Sequence, residues 1–178
     1  DFYGSWMQFS NYPKHTCVTL YSLSKYFKEA LDILYSIIIE PLFPEKELSR
    51  LRDRSKQQFL VHSSRVSFIA NRLLFHSLYG SEHPIGNTSV PEDFLKISSS
   101  DLRTFHEKYY NSEGCSIYLS GKISTAVLQD VETVFGEQSF GNKADWKATL
   151  YPIKTSQDKC ITFKKEGALQ NAVRMGSL

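Results

Sequence analysis

Five histidines, His15, His62, His76, His83 and His106, are the side chains best suited to bind a metal or move a proton near neutral pH. Two histidines four residues apart on a helix share a face and can hold one ion between them. None of the five has another His at that distance. His83 precedes Pro84 and is read as fixing a loop through hydrogen bonds, with a ligand or general base as the sharper alternative. His106 and Glu107 are adjacent, and helical neighbours point about 100° apart, so they are not read as an acid–base pair. Cys17, Cys115 and Cys160 are odd in number and form no CxxC, which argues against a disulfide framework or a structural zinc site. They are read as small apolar residues, two of them in strands. Lys46, Arg50 and Arg54 recur at every fourth position, with Arg52 and Lys56 nearby. Such a run could face an anion or nucleic acid, but Glu45, Glu47 and Asp53 interleave with it, and it reads as a solvated helix face.

The hydrophobic pattern predicts the elements that carry these side chains. Residues 2–10 and 15–23 alternate with a period of two around Asn11-Tyr12-Pro13-Lys14 and read as a β-hairpin. Trp6, Met7 and Phe9 in its first strand are expected in a sheet core; a surface that meets a partner half or a substrate strand is the alternative. From Phe27 the period lengthens. Phe27, Ala30, Leu31, Leu34, Ile37 and Ile38 share one helical face, and Pro41 and Pro44 close that helix. Pro44 also suits the first turn of a second helix, with Glu45 and Glu47 near its positive end and Leu48, Leu51, Ser55 and Phe59 inward. A third helix runs from about Val66 to Tyr79, with Val66, Ile69, Ala70, Leu73 and Leu74 inward and Gly80 as its stop.

Residues 81–97 read as loop. Ser98 and Asp101 have capping-box spacing ahead of a helix that carries Leu102, Phe105 and Tyr109 on one face. Residues 115–123 read as a strand, and Ser124 as the cap of a helix to about Phe135. Residues 136–157 form a polar connector, followed by strands at 159–164 and 169–176 around a turn at Glu166-Gly167. Strands in hairpins beside clustered helices predict an α+β fold: a two-layer sandwich of a largely antiparallel sheet with helices packed on one face.

The totals set limits. With 41% apolar and 22% charged residues the chain has the composition of a globular domain. A net charge of +2 over 178 residues makes no basic field, so nucleic acid is not expected as a partner. No stretch approaches the roughly 20 apolar residues that span a membrane, so no membrane span is expected either. The chain opens at Asp1 without an initiator Met and reads as a fragment or processed product, so a missing signal says nothing of the compartment. The expectation is a soluble protein of the cytoplasm or periplasm.

Four segments resemble the insulinase/pitrilysin family of zinc peptidases. They are Pro41-Leu-Phe-Pro-Glu-Lys-Glu-Leu-Ser-Arg-Leu-Arg52, Leu78-Tyr-Gly-Ser-Glu-His-Pro-Ile-Gly86, Asp101-Leu-Arg-Thr-Phe-His-Glu-Lys-Tyr-Tyr110, and the strand ending Leu119-Ser-Gly-Lys122. Each alone is weak, but the series falls in the family's order and spacing over roughly residues 1–135, with weaker agreement over Leu169–Gly176. The resemblance implies a domain of duplicated α+β halves. Residues 1–135 would be most of one half, 136–157 the linker, and 158–178 the opening β-hairpin of a truncated second half.

Catalysis in that family implies an inverted zinc motif, HxxEH, whose histidines bind the metal and whose Glu is the general base, plus a distal Glu on the long helix. No HxxEH occurs here; it would fall before Asp1. The distal position falls within Ser55-Lys-Gln-Gln-Phe59, on Gln57 or Gln58. A neutral amide is a poor zinc ligand beside a carboxylate, and neighbouring Lys56 is less favourable still. The resemblance therefore implies no catalytic and no metal-binding residue in this chain, with zinc in an active partner or parent half. The implied partner is a zinc-bearing insulinase-type half or subunit that closes a chamber around peptide substrates. The Arg and Tyr with which some such halves position substrate would lie beyond Leu178, and Arg174 does not match them. Two other functions stay open: part of an active zinc endopeptidase whose HxxEH lies outside the chain, and a non-enzymatic structural or interaction subunit.

Overall fold

The computed structural model describes residues 3–12, 15–137, 139–142 and 150–178. Phe2, the Pro13-Lys14 corner, and positions 138 and 143–149 of the expected connector lie outside them. The chain divides into two compact units, Asp1–Pro44 with Ser99–Trp146, and Glu45–Ser98 with Lys147–Leu178.

In the first unit, strands β1 (Trp6–Asn11) and β2 (Thr16–Tyr21) pair antiparallel, from Trp6 opposite Tyr21 to Asn11 opposite Thr16. Beyond the last strand pair, the Tyr12 N–H donates to the His15 carbonyl at 2.9 Å. A 3-10 turn at Ser24–Tyr26 leads into α1 (Phe27–Ile39). This helix buries Ala30, Leu31 and Leu34, the centre of the apolar stripe; Ile37, at its end, is exposed. Helix α5 (Ser99–Tyr109) starts directly after Ser98, as the capping-box spacing predicts. Helix α6 (Thr125–Val131) is capped by Ser124, whose hydroxyl accepts from the Val127 N–H at 3.3 Å. It continues as a π-turn over Glu132–Gly136. There Phe135 meets Tyr35 of α1 edge-on at 5.2 Å and Phe140 at 6.4 Å, and Phe140 is buried.

The second unit is built on α2 (Glu45–Ser63) and α3 (Val66–Tyr79), with a short α4 (Asp93–Lys96) inside the stretch read as loop. Gly80 ends α3 with a φ of 79°, a left-handed conformation that Gly adopts without a Cβ clash. Its N–H donates to the His76 carbonyl at 2.8 Å. A Cβ on Gly86 would stand 2.1 Å from the Gly80 carbonyl oxygen, so this loop closes only with Gly at position 86. Residues 154–156 run beside the end of α3. The Lys154 and Ser156 N–H groups donate to the Tyr79 and Ser77 carbonyls at 3.1 and 2.7 Å. The Thr155 hydroxyl reaches the Leu78 carbonyl at 3.0 Å, and Lys154 pairs with Glu82.

The architecture is α+β, but its sheet is smaller than the sequence predicts. Among the described residues β1 and β2 form one two-stranded sheet. Residues 115–123, 159–164 and 169–176 are not strands here. Alternation prepares a segment for a sheet, but a strand needs a neighbouring ladder to satisfy its N–H and C=O groups. The turn at Glu166-Gly167 does form, with Gly167 at a φ of 68°. Further corrections concern burial. Trp6 and Phe9 are exposed rather than sheet core; Trp6 stacks on Tyr21 at 3.8 Å, and Met7 is half-buried. Leu51 is exposed, and Val66, Ile69, Ala70, Leu73 and Leu74 are half-buried rather than buried. No helix among the described residues is long and apolar enough to cross a membrane.

Candidate functional site

Helix α2 carries the positions that the zinc chemistry singles out. Its inward stripe is Leu48, Arg52, Ser55, Lys56, Phe59 and Ser63, the residues of this helix that are not exposed. At about 100° per residue that stripe leaves Leu51 on its flank and Gln57 on the far side of the helix. Gln57 and Gln58 are both exposed, while Lys56 is half-buried. The basic run on this helix is partly neutralised: Arg50 pairs with Glu47 at 2.8 Å and Arg52 with Glu45 at 3.1 Å. The Arg50–Glu47 pair lies on the solvated face that the sequence predicts, whereas the Arg52 side chain is 19% exposed and belongs to the inward stripe.

The histidines are dispersed, and each has a structural partner. His15 stacks on Tyr12 with ring centres 4.6 Å apart. The His76 Nδ1–H donates to the Gly86 carbonyl at 3.2 Å. His83 Nδ1 accepts the Ile85 N–H at 3.1 Å between the rings of Tyr79 and Tyr151, the loop-fixing role expected of it. The His106 Nε2–H donates to the Ile38 carbonyl at 2.7 Å, and its ring stacks on Tyr110. Arg103, one turn earlier on α5, donates from Nη2 to the Leu42 carbonyl at 2.8 Å. These two residues brace the end of α1 and the bend after it, where Phe43 holds a φ of 45°. A cavity of about 340 Å³ lies there, lined by Glu40, Phe43, Arg103, His106 and Glu107 among others. His62 lies edge-on to Phe68 at 6.1 Å.

Zinc needs several converging N, S or O donors at about 2.0–2.3 Å. Among the described residues no three of His, Cys, Asp and Glu come together in that way. The described residues offer no cluster that fits the metal the family resemblance implies. The three cysteines are exposed, and Cys17 alone lies in a strand, which corrects the reading of three apolar residues with two in strands. Partial desolvation raises the Cys115 thiol above its ordinary value, opposite to what an activated nucleophile needs. Arg174 donates from Nε to Asn71 Oδ1 at 2.6 Å.

One constellation escaped the sequence reading. Arg72 of α3 lies with its guanidinium carbon 5.2 Å from the ring centre of Phe59 and 5.5 Å from that of Phe68. Phe59 in turn meets Phe68 at 5.7 Å and Phe94 at 5.6 Å. The Arg72 Nη2 donates to the Ser89 carbonyl at 2.8 Å. The three rings come from α2, α3 and α4, so no spacing within one element announces them.

Comparison with known proteins gives a single direction. Residues 96–176 match the family described as Peptidase M16 inactive domain. The "Uncharacterized zinc protease YmxG" of Bacillus subtilis (strain 168) is 26% identical over 156 residues, covering 86% of this chain and 37% of its own length. The chloroplastic stromal processing peptidase of Arabidopsis thaliana is 24% identical over 124 residues, 66% of this chain and 10% of that protein. This chain thus spans well under half of either curated relative. The solved structure of a peptidase M16 inactive domain from Pseudomonas fluorescens superposes with a TM-score of 0.66 at 22% identity, over 83% of this chain and 37% of that one. That likeness speaks to the fold. The chain resembles insulinase-family (M16) proteins along most of its length and has the fold of an M16 inactive domain.

Proposed function

We propose that this chain belongs to the non-catalytic half of an M16 peptidase, which packs against a zinc-bearing half and closes a chamber around peptide substrates. The match of residues 96–176 to the inactive domain carries this reading. Gln57 and Gln58 support it, because an amide stands wherever the long helix would offer the distal carboxylate. In this arrangement residues 1–135 are most of one half, 136–157 the join and 158–178 the start of the next. Zinc and the general base belong to the partner. This half contributes chamber wall and orientation, which act on catalysis through substrate positioning rather than through bond breaking.

Metal titration tests the division of labour. The full-length protein that carries this sequence, freed of metal and titrated with zinc, is expected to hold no stoichiometric tight zinc. Gln57→Glu and Gln58→Glu are expected to change nothing, because one carboxylate without two converging histidines does not make a site. Tight zinc at one equivalent in the unaltered protein overturns the reading in favour of an active endopeptidase.

A further inference from the structure

The second unit holds a pocket whose chemistry none of the foregoing uses. Its volume is about 260 Å³, below the roughly 300–1,000 Å³ of drug-sized ligand sites and suited to one amino-acid residue. Phe59, Phe68, Phe75 and Phe94 supply apolar walls, and Thr88 and Asn87 lie at its polar side. Arg72 is the one charged residue among its lining, and no Asp or Glu lines it among the described residues. None of the ion pairs among the described residues involves Arg72. The nearest acidic residue in sequence to the α4 wall, Asp93, is engaged with Lys96 at 2.9 Å and with the Val90 N–H at 2.9 Å.

A guanidinium offers five N–H donors in a planar fork. The bond to Ser89 occupies one nitrogen of Arg72 and fixes the group's orientation, while the two phenyl rings hold it. The fork's other edge matches a carboxylate, which accepts two parallel N–H bonds. An inorganic anion would use the charge and leave the apolar wall of Phe75, Ile85 and Phe94 unused. An apolar side chain alone would use the rings and leave the charge uncompensated. A free C-terminal residue carries its carboxylate and its side chain on one carbon and satisfies both.

We propose that the Arg72 pocket binds the C-terminal residue of a peptide, with the carboxylate on the guanidinium and an aromatic or aliphatic side chain against Phe59, Phe68 and Phe94. The inference rests on this unit alone and does not depend on where the zinc lies. Acetyl-Ala-Ala-Phe with a free carboxyl, titrated into the full-length protein that carries this sequence and followed by the NMR shifts of pocket residues, is the probe. Loss of a charge-assisted pair on amidation is expected to weaken binding about tenfold or more. Acetyl-Ala-Ala-Ser with a free carboxyl should also bind more weakly, since it leaves the rings bare. Arg72→Gln, which keeps much of the stem, is expected to bring acid and amide to equal affinity while the circular dichroism spectrum stays the same. Should that variant unfold, the acid-to-amide ratio on the unaltered chain decides. Equal binding of acid and amide, binding of neither, or a preference that survives Arg72→Gln overturns the proposal.

Discussion

Helices α1 and α2 are both regular, yet they hold their units in different ways. Helix α1 buries Ala30, Leu31 and Leu34 outright. Helix α2 buries Leu48 and then offers a half-buried stripe of Arg52, Ser55, Lys56 and Phe59. The first unit is thus anchored by close apolar packing. The second is held by ring contacts, loop hydrogen bonds and a few ion pairs at the surface. Apolar packing penalises any lost methylene, whereas a half-exposed stripe tolerates truncation and leaves its aromatic groups accessible to ligands.

Truncations put that difference to the test. Leu31→Ala, at a residue 4% exposed, is expected to cost about 3 kcal/mol in urea unfolding, the range for a buried leucine that leaves a cavity. In the second unit the largest effect should come from the backbone. Gly86→Ala is expected to cost about 2 kcal/mol, because its Cβ would meet the Gly80 carbonyl and force the loop open. Leu51→Ala, at a residue 47% exposed, should cost no more than about 0.5 kcal/mol. If it cost as much as Leu31→Ala, α2 would pack through Leu51 after all and the contrast would fail.

The smallest effect is electrostatic. The hydrogen bond from Lys96, and then that from the Val90 N–H, hold the Asp93 carboxyl below its ordinary value of 3.8. Its contribution to α4 is therefore complete above the ordinary carboxylate range and fades as pH falls through the lowered folded value. An NMR titration of the Asp93 carboxyl carbon should show that depressed midpoint, and Lys96→Met should return it towards 3.8.

The same contrast explains what the sequence could reveal. The hairpin was legible because its alternation is local and its turn lies between the two strands. Helices α1, α3 and α6 were legible because a period of 3.6 needs no distant partner, and Gly80 marks the end of α3 and Ser124 the start of α6 through chemistry of their own. Residues 115–123, 159–164 and 169–176 carry the same alternation as β1 and β2, but nothing in a strand's sequence names its neighbour. Leu51 was misplaced because an apolar side chain at i+3 from Leu48 is compatible with the inward face, while the actual stripe runs through Arg52, whose stem packs and whose charge reaches Glu45. The histidines lie far apart in the sequence, and among the described residues they stay dispersed. The Arg72 pocket was invisible because Phe59, Phe68 and Phe94 converge only once three elements have folded.

The most direct measurement is peptide cleavage by the full-length protein, alone and mixed with the zinc-motif-bearing M16 relative from the same source, each freed of other peptidases. The account predicts cleavage by the mixture and none by this protein alone. Cleavage by the purified protein alone, dependent on its own zinc, would contradict it.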